Sequence, residues 1–241
     1  MIAGLINLFY PPLCHGCGKK TTLPEQNLCK GCLENIKKRL PPFCVRCGRQ
    51  LPSQIQMQDT CSDCRTENPY YDRALSVFHY GDILRELVHT FKYGKMTSLA
   101  NEFVELTVDF MKEHGMCKKL DLVLCIPMHP ARLLRREING SHILAKNTAK
   151  KLGVRYSGSL LKKIKSTPPQ SKLKRHRRID NIKGSFSIKK NRASAVQDKD
   201  ILLVDDLFTT GSTANECSRI LKQAGAASVK VITLARGDNL S

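Results

Sequence analysis

Four Cys-x-x-Cys pairs in the first 64 residues constrain the fold of this chain more than any other feature of its sequence. The segment PPLCHGCGKK at residues 11–20 recurs as PPFCVRCGRQ at residues 41–50, and in each copy a second pair follows after 11 or 13 intervening residues. Such a repeat indicates an internal duplication in which each copy is one structural unit. The pairs are Cys14/Cys17, Cys29/Cys32, Cys44/Cys47 and Cys61/Cys64.

Two Cys-x-x-Cys turns together supply the four thiolates of a tetrahedral zinc site. We therefore predict two zinc ribbons within residues 1–68, and both ions are structural because four protein ligands leave no coordination position open. Disulfide bonds are an alternative, which a cytosolic compartment disfavours. Redox activity is another, but no strand–helix–strand pattern surrounds the pairs. The first site comprises Cys14, Cys17, Cys29 and Cys32, and the second comprises Cys44, Cys47, Cys61 and Cys64.

The charge of the chain is strongly positive and unevenly distributed. Forty Lys and Arg against 21 Asp and Glu give a net charge of +19. High charge by itself maintains solubility, whereas clustered positive charge attracts polyanions such as nucleic acids. Residues 162–192 contain twelve Lys and Arg and a single acid, Asp180, with few apolar side chains. We therefore predict a mobile basic loop at about 162–192 that binds nucleic acid mainly through electrostatic contacts.

The sequence also bears on where the chain acts. A membrane-spanning helix needs about 18 or more consecutive apolar residues, and the chain contains no such run. The start, MIAGLINLFYPPLC, lacks the basic region and the small-residue cleavage site of a secretory signal. We expect a cytoplasmic protein with no transmembrane segment.

From residue 70 onward, strand-like and helix-like segments alternate. Apolar residues with a period of two predict strands, and apolar residues spaced three and four apart predict helices. Strands separated by helices predict an α/β fold for residues 70–241, with a mostly parallel, doubly wound sheet. The predicted strands are 73–81, 121–127, 200–205 and 228–234, and the predicted helices are 82–94, 97–114, 141–151 and 213–224.

The stretch ILLVDDLFTTGST at residues 201–213 combines a strand, two acids, a turn of small hydroxyl residues and the start of a helix. Ligands of a parallel sheet bind beyond the carboxyl ends of its strands, and backbone amides at a helix N-terminus bind phosphate. We predict that the turn binds a sugar 5′-phosphate and that the acids bind the sugar hydroxyls. An ordinary strand with an Asp turn and Thr213 as helix cap is the alternative, which leaves two acids at the strand end unexplained. The predicted residues are Asp205, Asp206, Thr209, Thr210, Gly211, Ser212 and Thr213.

The segment from Val204 to Thr213 resembles the signature loop of type I phosphoribosyltransferases. Together with the cysteine ribbons, about residues 8–236 resemble the ComF family of competence-associated proteins. The chain departs from that family at Arg136-Glu137-Ile138-Asn139-Gly140, where members usually carry an RGFNQ-like stretch. Further matches are Phe91-Lys92-Tyr93-Gly94, Ile126-Pro127-Met128-His129-Pro130 with Arg132, and Gln170-Ser171-Lys172-Leu173 leading to Arg178 and Asn181.

The resemblance implies a phosphoribosyl diphosphate pocket that uses Mg²⁺, with Lys92 and the basic loop over the leaving group. It also implies a part in natural transformation, in which single-stranded DNA is handled on the cytoplasmic side near a helicase and a membrane DNA channel. Two other functions remain open: an active phosphoribosyltransferase with a base or small acceptor, and a zinc-dependent assembly adaptor. The residues predicted to bind nucleic acid are Lys162, Lys163, Lys172, Lys174, Arg175, Arg177 and Arg178.

Overall fold

The computed structural model describes residues 12–21, 27–54, 59–93, 98–136, 139–167 and 181–237. Within them, five parallel strands form one sheet in the order β1-β7-β6-β2-β3, and β4 and β5 form a separate antiparallel pair. The strands are β1 Arg73–His79, β2 Leu122–Cys125, β3 Arg155–Ser157, β4 Leu161–Lys163, β5 Phe186–Ile188, β6 Asp200–Phe208 and β7 Ser228–Arg236. The helices are α1 Lys30–Asn35, α2 Ser62–Glu67, α3 Asp82–Tyr93, α4 Leu99–Glu113, α5 Pro130–Arg136, α6 Gly140–Leu152 and α7 Ser212–Gln223, with a 3-10 helix at Lys190–Val196.

The parallel α/β sheet predicted from the sequence is confirmed. All four predicted strands and all four predicted helices are present, with ends that differ by a few residues. Gly153 ends α6 in the left-handed conformation, with φ 67°, as a glycine after a helix commonly does. The elements that the sequence pattern did not predict are three to seven residues long and therefore too short for a period to show. They are α1, α2, α5, β3, β4, β5 and the 3-10 helix.

The two faces of the sheet are covered by different parts of the chain. Side chains alternate along β6, so Leu202 and Val204 belong to one core cluster, while Ile201 and Leu203 belong to the other. The first cluster contains the inner sides of α3, α4 and α6 and several residues of the first cysteine segment. The second contains α7, the β4–β5 pair and the second cysteine segment. Apart from Phe43, which belongs to the first cluster, the two halves of the duplication therefore join different cores.

Chain from the cysteine region also covers an edge of the sheet. Lys38 forms an antiparallel bridge to Phe78 of β1, Arg39 N–H donates to the Val77 carbonyl at 2.9 Å, and His79 N–H donates to the Lys37 carbonyl at 3.0 Å. An uncovered edge strand invites pairing with other chains, and this contact removes part of that opportunity.

The segment predicted as a basic loop is more ordered at its ends than the sequence indicates. Leu161 pairs with Ile188, and Lys163 pairs with Phe186, so β4 and β5 close the base of a hairpin. The 3-10 helix Lys190–Val196 follows directly. The cause is local burial, because Leu161 and Phe186 pack into the second core cluster. In the described ranges, no helix is both long and apolar enough to cross a membrane.

Candidate functional site

A cleft lies where β6 ends and α7 begins. It encloses about 250 Å³, counting the part open to solvent. Gly211, the residue before α7, has φ 79°, and an ideal Cβ there would lie 2.5 Å from Cζ of Phe208. Glycine is therefore required for its backbone conformation and for its lack of a side chain. The lining residues are Ile126, Asp205, Leu207, Phe208, Thr209, Gly211, Ser212, Thr213, Ala214 and Thr233.

The predicted binding residues are partly brought together at this cleft. Five of them line it: Asp205, Thr209, Gly211, Ser212 and Thr213. Asp206 and Thr210 are not among the lining residues, although both belong to the same loop. The Thr210 and Ser212 hydroxyl oxygens lie 3.1 Å apart, and the Ser212 N–H donates to Thr210 Oγ1 at 3.4 Å. This hydroxyl pair supports the turn that places the start of α7 at the cleft.

Donors from Ser141 and from the backbone of Asp206 hold the Asp205 carboxylate in place. The Ser141 hydroxyl donates to its Oδ1 at 2.7 Å, and the Asp206 N–H donates to the same oxygen at 2.9 Å. Ser141 lies in the first turn of α6 and is buried, so α6 positions the carboxylate from the neighbouring element. Charge-assisted hydrogen bonds of this kind fix the orientation of a carboxylate before a ligand arrives.

Several residues at the site were given no role from the sequence. Among them, Ile126 follows β2, Thr233 lies opposite Asp205 in β7, and Ser141 is the second residue of α6. The available signal was positional: in a parallel sheet, the carboxyl ends of adjacent strands lie along one edge. Without the strand order, however, the sequence does not show which strands lie next to β6.

Residues 136–140, where the sequence departs from the ComF pattern, lie partly within the described residues. Residues 137–138 lie outside the described residues, but Asn139 precedes α6 and Gly140 is its first residue. An ideal Cβ on Gly140 would lie 2.7 Å from Cε1 of Phe91. A larger residue at 140 therefore requires the Phe91 ring to move, so this glycine and the Phe91 motif are packed as a pair.

The predicted cationic residues lie mostly outside the described part of the chain. The structure does not describe the side chain of Lys92 at the end of α3, nor five residues of the basic segment: Lys172, Lys174, Arg175, Arg177 and Arg178. Of the others, Lys162 is exposed on β4. Lys163 donates to Thr167 Oγ1 at 2.8 Å, and its Nζ lies 5.5 Å from the centroid of the Phe186 ring. Their role in binding stays a prediction.

The strands β4 and β5 and the basic segment between them are called the basic hairpin below. The base of this hairpin is attached to α7, the helix that starts at the cleft. The Gly184 N–H donates to Glu216 Oε1 at 2.8 Å, and Arg219 donates to both oxygens of that carboxylate. The bonds from Arg219 lower the pKa of Glu216, which therefore stays ionised. The hairpin and the cleft thus share one helix.

The eight amino-terminal cysteines form two clusters of four in the predicted pairing. Within each cluster, the four sulfur atoms lie within 4.8 Å of one another. Cys17 and Cys29 sulfurs are 3.7 Å apart, and Cys47 and Cys61 sulfurs are 3.6 Å apart. A tetrahedral zinc with Zn–S bonds of about 2.3 Å requires sulfur separations of about 3.8 Å, so both clusters fit the ion.

Backbone amides support the thiolates of both clusters. Cys29 N–H donates to Cys14 Sγ at 3.2 Å, and Cys61 N–H donates to Cys44 Sγ at the same distance. Such donors stabilise negative sulfur, as a metal-thiolate site requires. Among the described residues, Cys125 and Cys217 are buried and belong to neither cluster.

Sheet, cleft and cysteine clusters together define a class: a phosphoribosyltransferase-type domain joined to a double zinc ribbon. Two family models match the chain in the same places. A double zinc ribbon domain model matches residues 5–65, and a phosphoribosyl transferase domain model matches residues 139–240. A purine phosphoribosyltransferase from Pyrococcus horikoshii is a solved structure that is 17% identical, with a TM-score of 0.37 over 57% of this chain and 82% of that chain.

The chain is homologous over most of its length to relatives named as competence and DNA utilization proteins. It is 28% identical to competence protein F of Haemophilus influenzae over 95% of this chain and 98% of the relative. It is 29% identical to DNA utilization protein YhgH of Salmonella typhimurium over 95% of this chain and 99% of the relative. It is 28% identical to competence protein ComFC of Bacillus subtilis over 88% of this chain and 85% of the relative.

Proposed function

We propose that this chain is a competence protein that handles single-stranded DNA during DNA uptake and binds phosphoribosyl diphosphate with Mg²⁺ in the cleft after β6. The observation that carries the proposal is the cleft itself, where Asp205 and the turn ahead of α7 line one surface at the carboxyl end of a parallel strand. The names of the relatives, competence protein and DNA utilization protein, support the biological role.

The chemistry of the lining suits a phosphorylated sugar. Thr209, Ser212 and Thr213 offer hydroxyl groups, and backbone amides at the start of a helix such as α7 are donors that suit a phosphate. The Asp205 carboxylate accepts hydrogen bonds from sugar hydroxyls. Mg²⁺ prefers oxygen ligands from carboxylates and phosphates, so a bound diphosphate and the aspartates would hold it and it would neutralise the diphosphate charge.

The basic hairpin supports DNA binding beside this cleft. Its base is attached to α7 through Glu216, and Lys162 is exposed there. Contacts of lysine and arginine with phosphates release counterions, so binding should weaken steeply with salt. On this proposal the chain acts in the cytoplasm, with a helicase and a membrane DNA channel as partners.

The decisive experiment measures both ligands on one sample. Calorimetry with Mg²⁺ and phosphoribosyl diphosphate, and fluorescence anisotropy with labelled single-stranded DNA, are applied to the wild type and to Asp205→Ala/Asp206→Ala. We expect the double variant to lose the first ligand and retain the second, with Asp109→Ala on the exposed side of α4 as the matched control. A wild-type chain that binds neither ligand overturns the proposal.

An active phosphoribosyltransferase is the second candidate, favoured by the match to the phosphoribosyl transferase domain. It predicts release of pyrophosphate when the chain is incubated with phosphoribosyl diphosphate, Mg²⁺ and a panel of bases. Pyrophosphate release that requires one of these bases, and disappears in Asp205→Ala/Asp206→Ala, would establish a transferase. Its absence, with binding intact, supports a binding role for the cleft.

A further inference from the structure

Buried contacts join the second zinc ribbon to the loop between β6 and α7, although the two lie far apart in the sequence. Arg236, the last residue of β7, is 5% exposed and donates from Nη1 to the Cys47 carbonyl at 2.6 Å. Its guanidinium carbon lies 4.7 Å from the centroid of the Phe208 ring. Cys47 belongs to the second cysteine cluster and Phe208 lines the cleft, so one buried cation contacts both sites.

Phe208 determines where the loop lies. The ring is packed against the Gly211 backbone so closely that no Cβ fits between them. The Tyr71 ring meets the Phe208 ring edge-on with centroids 6.2 Å apart, and the Tyr71 hydroxyl lies 3.3 Å from an ideal Cβ on Gly211. Since interiors are close-packed, a shift of the Phe208 ring displaces the loop that it supports.

The turn that carries Cys47 is itself seated on the sheet. Ala74 N–H of β1 donates to the Arg46 carbonyl at 2.6 Å. An ideal Cβ on Gly48 would lie 2.4 Å from the Ala74 carbonyl oxygen, so the backbones touch. Metal coordination through the Cys47 sulfur fixes the same turn from its other side.

The first ribbon has no corresponding contact among the described residues. It packs toward the helices, where Gly16 lies near Ile83, and the Asn27 N–H and side-chain amide donate to Glu102 of α4. An ideal Cβ on Gly18, the counterpart of Gly48, would have nothing within 4 Å. The two ribbons therefore differ in whether they reach the cleft.

We propose that the second zinc ribbon is an integral part of the phosphoribose site and that Arg236 is the positioning residue that connects them. Metal in the second cluster holds the Cys47 turn, the Cys47 carbonyl orients Arg236, and Arg236 holds Phe208 beneath the loop. Ligand affinity at the cleft then depends on metal in the second ribbon and not in the first. For the ligand, this inference rests on the proposed function. Coupling between sites is reciprocal, so the ligand also raises the affinity of the second ribbon for its metal.

Hydrogen exchange tests the coupling without any ligand. The exchange of residues 206–216 is compared in full-length wild type, Cys61→Ser and the matched Cys29→Ser, which changes the corresponding position of the first ribbon. We expect faster exchange of this segment in Cys61→Ser and wild-type rates in Cys29→Ser, with the zinc content of each variant measured by atomic absorption. Equal rates in the two variants, with the second ribbon emptied of zinc, overturn the proposal.

Variants of Arg236 decide the matter if Cys61→Ser does not fold, because they keep all eight cysteines. We expect Arg236→Gln to retain two zinc ions and to weaken phosphoribosyl diphosphate binding about tenfold, within the usual range of coupling between sites. Arg236→Lys should recover part of the loss, since lysine keeps the charge but not the planar fork. Unchanged affinity in Arg236→Gln contradicts the assignment.

The two proposals fail in different ways. If the wild type binds no phosphoribosyl diphosphate, the proposed function of the cleft is wrong, and the exchange rates of residues 206–216 still report whether the ribbon supports the loop. If the wild type binds the ligand but Arg236→Gln and Cys61→Ser bind it equally well, the function stands and the coupling is wrong.

Discussion

The two zinc ribbons share their backbone pattern but not their surroundings. Gly18 N–H donates to the Cys14 carbonyl at 2.8 Å, and Gly48 N–H donates to the Cys44 carbonyl at 2.9 Å. Yet Cys17 of the first cluster is exposed, whereas all four cysteines of the second are buried, the least buried being 8% exposed. A duplicated sequence has thus produced one ribbon at the surface of the helices and one inside the core beside the cleft.

One local structure therefore serves two purposes in this chain. Each ribbon contains a knuckle, the Cys-x-x-Cys turn with the glycine that follows it and the amides that donate to sulfur. The spacing of the cysteines within about 20 residues determines this local structure. What the ribbon stabilises beyond itself depends on what it packs against. The first contacts α4 through Asn27, and the second contacts β1 and β7 through Ala74 and Arg236.

The largest difference is expected when one ligand of each ribbon is removed. Cys61→Ser should lower the midpoint of thermal unfolding far more than Cys29→Ser, because the second cluster is part of the core shared with the sheet. Cys29 is half-buried, so the first ribbon can open locally while the sheet stays folded. Circular dichroism at 222 nm, with zinc content measured in parallel, checks this. Equal midpoints for the two variants would show that the two ribbons contribute equally to the stability of the fold.

The residue before each first cysteine gives the next largest effect. Phe43 is 7% exposed and lies 6.3 Å, centroid to centroid, from Phe110, whereas its counterpart Leu13 is 50% exposed. Phe43→Ala should destabilise the fold by about 3–5 kcal/mol, and Leu13→Ala by no more than about 0.5 kcal/mol. Urea unfolding curves measure both free energies. Similar losses of unfolding free energy in the two variants would show that the two ribbons do not differ in how much their burial stabilises the fold.

The two knuckle glycines give a smaller difference. Gly48→Ala and Gly18→Ala both strain a left-handed residue, at φ 65° and 72°, which costs about 1–2 kcal/mol. Only Gly48→Ala also collides with the Ala74 carbonyl, which adds about 1–3 kcal/mol of overpacking. The difference between the unfolding free energies of the two variants, measured with urea, gives the contribution of this collision. A Gly48→Ala variant no less stable than Gly18→Ala would mean that the knuckle and β1 separate easily.

The smallest expected effect concerns pH. His114 packs against Phe43 with ring centroids 5.5 Å apart, and burial lowers the pKa of His114 below its ordinary value. The unfolded chain therefore binds the proton more tightly, so stability is complete above about pH 6.5 and decreases as the pH falls below it. The loss between pH 7.5 and 5.5 should be smaller in His114→Gln than in the wild type. Since both chains carry the same cysteines, metal loss at low pH affects them equally.

Prediction from sequence succeeded where the signal is local. The cysteine pairs, the Asp205 loop and the long helices depend on spacing within a few turns, and each is found where predicted. It failed for Thr233 and Ser141, because their place at the cleft depends on strand order and on packing between distant elements. Nor did it predict β4 and β5 near the two ends of residues 162–192, since the burial that stabilises these strands comes from the rest of the core.

The duplication, the two groups of four cysteines and the acidic turn at the end of a buried strand can all be read from the amino-acid sequence, because each is a short-range pattern of residue types. The inequality of the two copies depends on the fold. Arg236 and Cys47 are 189 residues apart, and no local spacing relates them. They meet because the last strand of the sheet ends beside the second knuckle, and burial of a guanidinium requires hydrogen-bond acceptors at that point.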